Sequence, residues 1–431
     1  MEMRQITRFA AIATMGIALI AGSIAPALAL AKPTLADIYN PLKVVKAELT
    51  LPQTSVDSLN NQATLTTYVP GSVAFSVDGK SSGSIDIKIR LKGSTSLYPL
   101  DETPSFKIKF QKDAAGQGYL GLNRMTLNGM VQDTSKLHEY GSYLMFNSMG
   151  VPAPKTGWVW LVINGVDKGL FANIEQPDQV FMQKRFKDIT QHIYEGVYFE
   201  DFNFGNSDGD NKTGSYLVDY GWKVTPNKND LSNAIDYVND WDPKTWYTGL
   251  STVFDRTELI NFIALENFLG HWDGYSGPNI NNYYIRSNTR GKFSFIPWGT
   301  DQTFGEHRGT KDILGDNFYL PLISDSSKQP FSDRYHNRGR LYTQCVNYSV
   351  CRTAYLQALK AISAKSTSIN LVGKMKAVAK VISPYIQKQF KSQPDLLREI
   401  TSEQTRTYSY VPTRITQISK LNYGFFGFAN Q

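Results

Sequence analysis

Apolar and polar residues alternate with a period of two through much of the first half of the chain, which predicts strands with one buried face. Over 44–52, Val45, Ala47, Leu49 and Leu51 fall opposite Lys46, Glu48 and Thr50. Val73, Phe75 and Val77 lead into the turn Asp78-Gly79-Lys80, and 85–91 is a second alternating strand. The polar loop Gly93-Ser94-Thr95-Ser96 follows. Over 106–110 both Lys107 and Lys109 lie opposite three apolar residues. A helix is expected over 133–149, with Leu137, Tyr140, Tyr143, Leu144 and Met149 as its buried stripe. Pro152-Ala153-Pro154 introduces a strand over 157–164, Asn164-Gly165 is hairpin-turn chemistry, and 169–175 is the return strand with Glu175 at its end.

The period changes in the second half. Helices are expected over 230–240 and over 352–394, the latter as at least two, and a tail begins at Ile400 with one more helix near 413–421. Asp255-Arg256-Thr257-Glu258 reads as a capping box, with Phe254 stapled onto Leu259, and opens a helix whose apolar face carries Leu259, Phe262, Ile263 and Leu269. A hairpin then pairs 282–286 with 292–296 across the turn 287–291. The polar loop 206–214 departs from a calcium-binding EF-hand at Lys212 and Thr213 and reads as a long turn.

The segment 266–305 changes the picture most. Asp273 precedes an Asn-rich turn and a hairpin, and Asp301 leaves the hairpin's second strand. Phosphoryl transfer uses one carboxylate to orient the acceptor hydroxyl, and a second carboxylate, often with an Asn, to hold a divalent metal on nucleotide phosphates. Asp and Asn are also the ordinary residues of turns, so the segment alone leaves both readings open. The same holds for Lys107, a phosphate-binding lysine or a solvated strand residue, and for Glu175, its partner or a surface carboxylate.

Residues 1–31 read as a secretory leader: Arg4 and Arg8 precede an apolar core, and Ala27-Leu28-Ala29 and Ala29-Leu30-Ala31 are small-x-small cleavage options. Removing Glu2, Arg4 and Arg8 with the leader lowers the formal net charge from +7 to +6. That mild basicity suits an anionic ligand such as a nucleotide, or an anionic cell surface, and there is no basic run of the kind that grips nucleic acid. No later segment is long and apolar enough for a stable membrane span. Cys345 and Cys351, the only cysteines, are expected to form one local disulfide in an exported chain.

Taken together, Arg90-Leu91-Lys92-Gly93-Ser94-Thr95-Ser96, Ser105-Phe106-Lys107-Ile108-Lys109-Phe110, Gly150-Val151-Pro152-Ala153-Pro154, Asn164-Gly165, Gly169-Leu170-Phe171, Trp272-Asp273-Gly274, Asn282-Tyr283-Tyr284 and Phe295 to Gly305 resemble the CotH kinase family of atypical kinases. The resemblance runs over roughly residues 44–390. It implies an α+β, two-lobed atypical protein-kinase-like fold over 32–400, with a β-rich N-terminal lobe, a helix-rich C-terminal lobe, a nucleotide cleft between them, and a tail over 401–431 packing on the domain. It implies ATP with Mg2+ or Mn2+ as cofactors and a secreted or surface protein substrate phosphorylated on Ser or Thr, while the leader, once cleaved, leaves this chain secreted, periplasmic or at the cell surface. Carried over by position, Lys107 holds phosphates, Glu175 orients Lys107 or a metal-bound water, Asp273 orients the acceptor, and Asn282 and Asp301 ligate metal. Gly299 stands where family members often carry a first carboxylate. The alternatives on the same scaffold are AMP transfer and a non-catalytic surface or adhesion protein.

Overall fold

The alternating segments of the first half close on themselves. The computed structural model describes residues 30–61, 67–93, 97–114, 116–196, 201–202, 213, 216–240, 242–277, 279–305 and 339–421. Helix α1 (Leu35–Ile38) leads to β1 (Val44–Thr50), α2 (Gln53–Asn60), β2 (Val69–Val77), β3 (Lys80–Lys92), β4 (Ser105–Phe110) and β5 (Arg124–Asn128). Helix α3 (His138–Ser148) then precedes the hairpin of β6 (Thr156–Ile163) and β7 (Val166–Ile174). These strands form a closed barrel in the order β1-β2-β3-β4-β5-β7-β6. Each neighbouring pair is antiparallel except β1 and β6, whose parallel pairing closes the ring. Phe75, Ile89, Phe106, Ile108, Leu127 and Phe171 fill the interior. Strand β6 is buried along its whole length because it faces two cores. Val159, Leu161 and Ile163 point into the barrel, whereas Trp158, Trp160 and Val162 pack outward on the rest of the protein.

The second half is helix-rich but not purely helical. Helix α4 (Gln179–Arg185) leads to β8 (Thr190–Glu195) and β9 (Leu217–Tyr220), then to α5 (Asn229–Asn239), α6 (Pro243–Val253) and α7 (Arg256–Leu269). The hairpin of β10 (Tyr283–Asn288) and β11 (Phe293–Pro297) joins β8 and β9 in a four-stranded sheet of order β11-β10-β8-β9. Helices α8 (Arg340–Asn347), α9 (Ser349–Ser368), α10 (Leu371–Gln389) and α11 (Pro394–Ser419) complete the described residues. The fold is α+β, with the β-rich N-terminal part formed as a closed barrel.

Several expectations need correction. The α3 helix buries His138, Glu139, Ser142, Tyr143, Met145 and Phe146, while Tyr140 and Leu144 are only partly buried. Its inward face is therefore rotated and partly polar. Only half of the capping box forms: the Asp255 side chain accepts from Glu258 N, but Asp255 N donates to the Phe293 carbonyl and Glu258 accepts from Phe295 N at 3.1 Å. The region from Ile400 is, for its described part, the continuation of α11, which passes through Pro412. Residues 1–29 of the leader, most of the 206–214 turn, residues 94–96 and residues 422–431 lie outside the described residues.

The expected disulfide is present. Cys345 and Cys351 are bonded, with Cα atoms 4.9 Å apart. The bond ties the end of α8 to the first turn of α9 across Tyr348, rather than closing a loop ahead of a helix.

Candidate active site

Helix α7 sets the floor of the site. It is buried nearly all round, including the polar Glu266 and Asn267, and stops at Gly270 in the left-handed conformation (φ 67°). The buried Glu266 carboxylate then accepts from the backbone N–H of Tyr275 at 3.0 Å and of Ser276 at 2.7 Å. That pair of bonds fixes the turn carrying Asp273. Gly274 is required there, since a Cβ would lie 2.4 Å from Glu266 Oε1 and 2.3 Å from His271 Nδ1. Further links stitch the turn to the end of β11. Trp272 N donates to the Gln302 carbonyl at 3.3 Å, Phe304 N to the Leu269 carbonyl at 2.7 Å, and His271 Nε2 lies 3.3 Å from the Gly299 carbonyl.

These links bring Asp273, Asn282 and Asp301 together. Asp273 is 8% exposed and accepts from three Asn amides: Asn282 Nδ2 at 2.5 Å, Asn281 Nδ2 at 3.4 Å, and Asn279 Nδ2. Burial pushes its carboxyl up to about 6; His271 and the Asn279 amide oppose this and Asp301 adds to it. Asp301 is equally buried, and burial raises its carboxyl against the pull of Lys92 and His271. No side chain among the described residues donates to the Asp301 carboxylate, while its carbonyl meets His138 Nδ1 at 2.8 Å. Asn282 adopts φ 46° and turns Nδ2 toward Asp273, with Oδ1 beside Gly299. Gly299 (φ 52°) makes room for that amide: a Cβ at position 299 would sit 2.8 Å from Asn282 Cγ and Oδ1.

A cationic face lies across from this centre. On β3, β4 and β5 the residues between the barrel-filling ones point outward, and in register they stack as Lys88, Lys109 and Arg124, then Arg90, Lys107 and Thr126, then Lys92 and Ser105. Like charges directly opposite one another destabilise a sheet, so this clustering needs an anionic partner. Part of it is internal, since Arg124 pairs with Asp219 of β9 at 2.7 Å; Lys109 Nζ instead sits over the Tyr68 ring, 4.0 Å from its centroid. Lys92 lies 5.6 Å over the Trp298 ring and acts on both Asp301 and Glu139. Burial lowers the Lys107 pKa, and no ion pair or hydrogen bond among the described residues engages its ammonium.

Glu175 stands at the end of β7 as expected, but its partner is not Lys107. It turns to Arg185, whose Nη2 lies 2.5 Å from Oε2, and accepts from Lys155 N at 3.1 Å. The carboxylates acting on Lys107 are Glu195 and Asp219 instead. Glu139 was missed because it breaks the apolar stripe of α3. It is buried beside Asp301, accepting from Asn128 Nδ2 at 2.7 Å and Tyr143 Oη at 3.2 Å, and burial with the Asp301 charge raises its carboxyl. The cationic face could have been found, since Arg90 and Lys92 share the outward phase of an alternating strand.

The family model described as CotH kinase protein matches residues 89–420, a span from the cationic face to the end of α11. The chain belongs to that family. Its relatives in the family include the inner spore coat protein H of Bacillus subtilis (strain 168), 23% identical over 335 residues, which cover 73% of this chain and 84% of the relative. Invasin CotH2 of Rhizopus delemar is 25% identical over 202 residues, covering 42% of this chain and 32% of the relative. Spore coat protein homolog 1 of the same fungus is 25% identical over 201 residues, covering 44% and 32%. Among the described residues, no helix is long and apolar enough to cross a membrane.

Proposed function

We propose that this CotH-family chain is an exported protein kinase that transfers the γ-phosphoryl group of ATP, with Mg2+ or Mn2+, to Ser or Thr of a secreted or surface protein. The observation that carries the reading is the convergence of Asp273, Asn282 and Asp301 opposite the outward cations of β3 and β4. The barrel then serves as the β-rich lobe of a kinase-like pair, and the sheet and helices that follow serve as the other. Coat and invasin names among the relatives support a surface substrate, and residues 1–31 support export.

The donor set fits a hard divalent cation. Asp301 offers a carboxylate to which no side chain among the described residues donates, and Asn282 offers Oδ1. Among the described residues no group of three or more His, Cys, Asp or Glu could hold an ion, so phosphate oxygens and water would complete the shell, as is usual for Mg2+ on a nucleotide. When bound, the metal supplies charge neutralisation along the phosphates. Lys107 and Lys92 hold phosphate oxygens from the barrel side. Asp273, fixed by three amides and the Glu266-pinned turn, accepts the hydrogen bond of the acceptor hydroxyl and takes its proton as the oxygen attacks phosphorus.

The test is incubation of the purified chain lacking residues 1–31 with γ-labelled ATP and Mg2+ or Mn2+, alongside Asp301→Ala. Label on protein with the parent and none with the variant is the expected result. An adduct with the mass of AMP would move the reading to adenylyl transfer. Absence of nucleotide binding would move it to a non-catalytic surface scaffold.

A further inference from the structure

Among the described residues Lys107 has no partner in hydrogen-bonding contact, and it lies on a face already crowded with cations. It lies on the outer side of β4, between Phe106 and Ile108, which fill the barrel. Arg90 and Thr126 are its direct cross-strand neighbours. A side chain so placed needs an acidic group to hold it in one rotamer, and Glu175 is occupied by Arg185.

Two bridges bring the four-stranded sheet against this face. One is the Arg124–Asp219 pair, on the row beside Lys107. The other starts at Thr126, in Lys107's own row. Thr126 Oγ1 donates to Gln176 Oε1 at 2.9 Å, and Gln176 Nε2 donates to Tyr284 Oη at 3.3 Å. Tyr284 of β10 is the cross-strand partner of Glu195 of β8, and directly opposite residues share one face of an antiparallel pair. Glu195 therefore projects toward the barrel between the two bridges, half-buried, with Lys107 facing it.

We propose that Glu195 is the positioning carboxylate of Lys107, and that the Lys107–Glu195 pair spans the cleft where nucleotide phosphates lie. Its role in nucleotide binding rests on the phosphoryl-transfer reading above. The groups facing Lys107 are consistent with this: Arg90 and Lys92 repel its charge, while Glu195 attracts it more strongly than Asp219, which Arg124 already neutralises.

The pairing is testable without nucleotide. The lysines are 13C-dimethylated, Lys107 is assigned with Lys107→Arg, and its titration is followed by NMR. Glu195→Gln should lower the Lys107 pKa by about one unit, the size of a nearby opposite charge. Glu195→Asp should restore most of it, and Glu175→Gln should leave it in place. A shift with Glu175→Gln and none with Glu195→Gln overturns the proposal, as does no shift with either. The nucleotide arm uses Mg2+ with a non-hydrolysable ATP analogue. Glu195→Gln should weaken binding about tenfold in the parent and have no effect in a Lys107→Met background, and equal losses in both backgrounds also overturn it. A parent that binds no nucleotide defeats the phosphoryl-transfer reading, and the titration still decides the pairing.

Discussion

Asp273 and Asp301 are equally buried, yet their surroundings differ, and the proposed phosphoryl transfer gives them different roles. Asp273 is held in its turn by amide donors, whereas no side chain among the described residues donates to the Asp301 carboxylate. Replacing Asp273 with Asn should keep nucleotide binding and slow transfer by about 10²–10⁴-fold, as for loss of a general base; single-turnover kinetics would check this. Gly299 gives a second residue-level expectation. Alanine there would hold a left-handed backbone and push the Asn282 amide from its place, with a loss of about 1–3 kcal/mol by chemical denaturation. In an Asn282→Gly background the steric part should vanish and only the backbone part remain. Asp273, Asn282 and Asp301 were legible because one 40-residue stretch carries them all with its own turn chemistry. Glu139 and Glu195 were not, because their meaning comes from partners distant in sequence. A buried polar residue in an apolar stripe reads as an exposed one until the opposite element is known.

Strands and hairpins of the barrel were legible element by element, since alternation records which face is buried. Strand β8 was hidden by its polar inward residues. His192, fully buried, pairs with Asp230 of α5 at 2.8 Å, and Asp230 also accepts from Ser287 Oγ at 2.5 Å and Tyr194 Oη at 2.7 Å. Burial alone would lower the His192 pKa, but the bonds to Asp230 and the Thr225 carbonyl raise it above 6.5. Burial would likewise raise Asp230, but His192, Ser287 and Tyr194 hold it below 3.8. The histidine's contribution is full below its unfolded pKa and fades as pH rises through the raised folded value. The aspartate's is full above 3.8 and fades as pH falls through the lowered value. Thermal melts across pH should show Asp230→Asn losing most stability, relative to the parent, between these limits, and a loss that grows steadily above neutral pH would contradict the pairing. The disulfide belongs to this scale too. Cys345→Ser with Cys351→Ser should cost about 2 kcal/mol in denaturation, as for a short closed loop, and leave specific activity nearly unchanged. The last helix was the largest misreading. Pro412 and many Ser and Thr residues argue against a helix of 26 residues. Packing overrides propensity there: Ile400, Thr407, Val411, Arg414 and Ile418 are buried along one face.

For the molecule as a whole, α11 explains how a distant segment serves the site. Tyr410 Oη donates to the Phe268 carbonyl at 3.0 Å and Arg414 Nη2 to the Asn267 carbonyl at 2.5 Å, bracing the end of α7. Thr407 Oγ1 lies 3.0 Å from His138 Nε2, whose other nitrogen meets the Asp301 carbonyl. The β-rich first half and helix-rich second half were visible as a change of period. Barrel closure was not, because the parallel pairing of β1 with β6 joins segments more than 100 residues apart and leaves no local mark. In the proposed function the acidic centre and the barrel's cations together bind a metal–nucleotide complex. Isothermal titration of a non-hydrolysable ATP analogue, with and without Mg2+, into the parent and Asp301→Ala tests it most directly. Mg2+-dependent binding is expected for the parent, weakened at least tenfold in Asp301→Ala. Equal affinity in the two proteins, or binding indifferent to Mg2+, would contradict it.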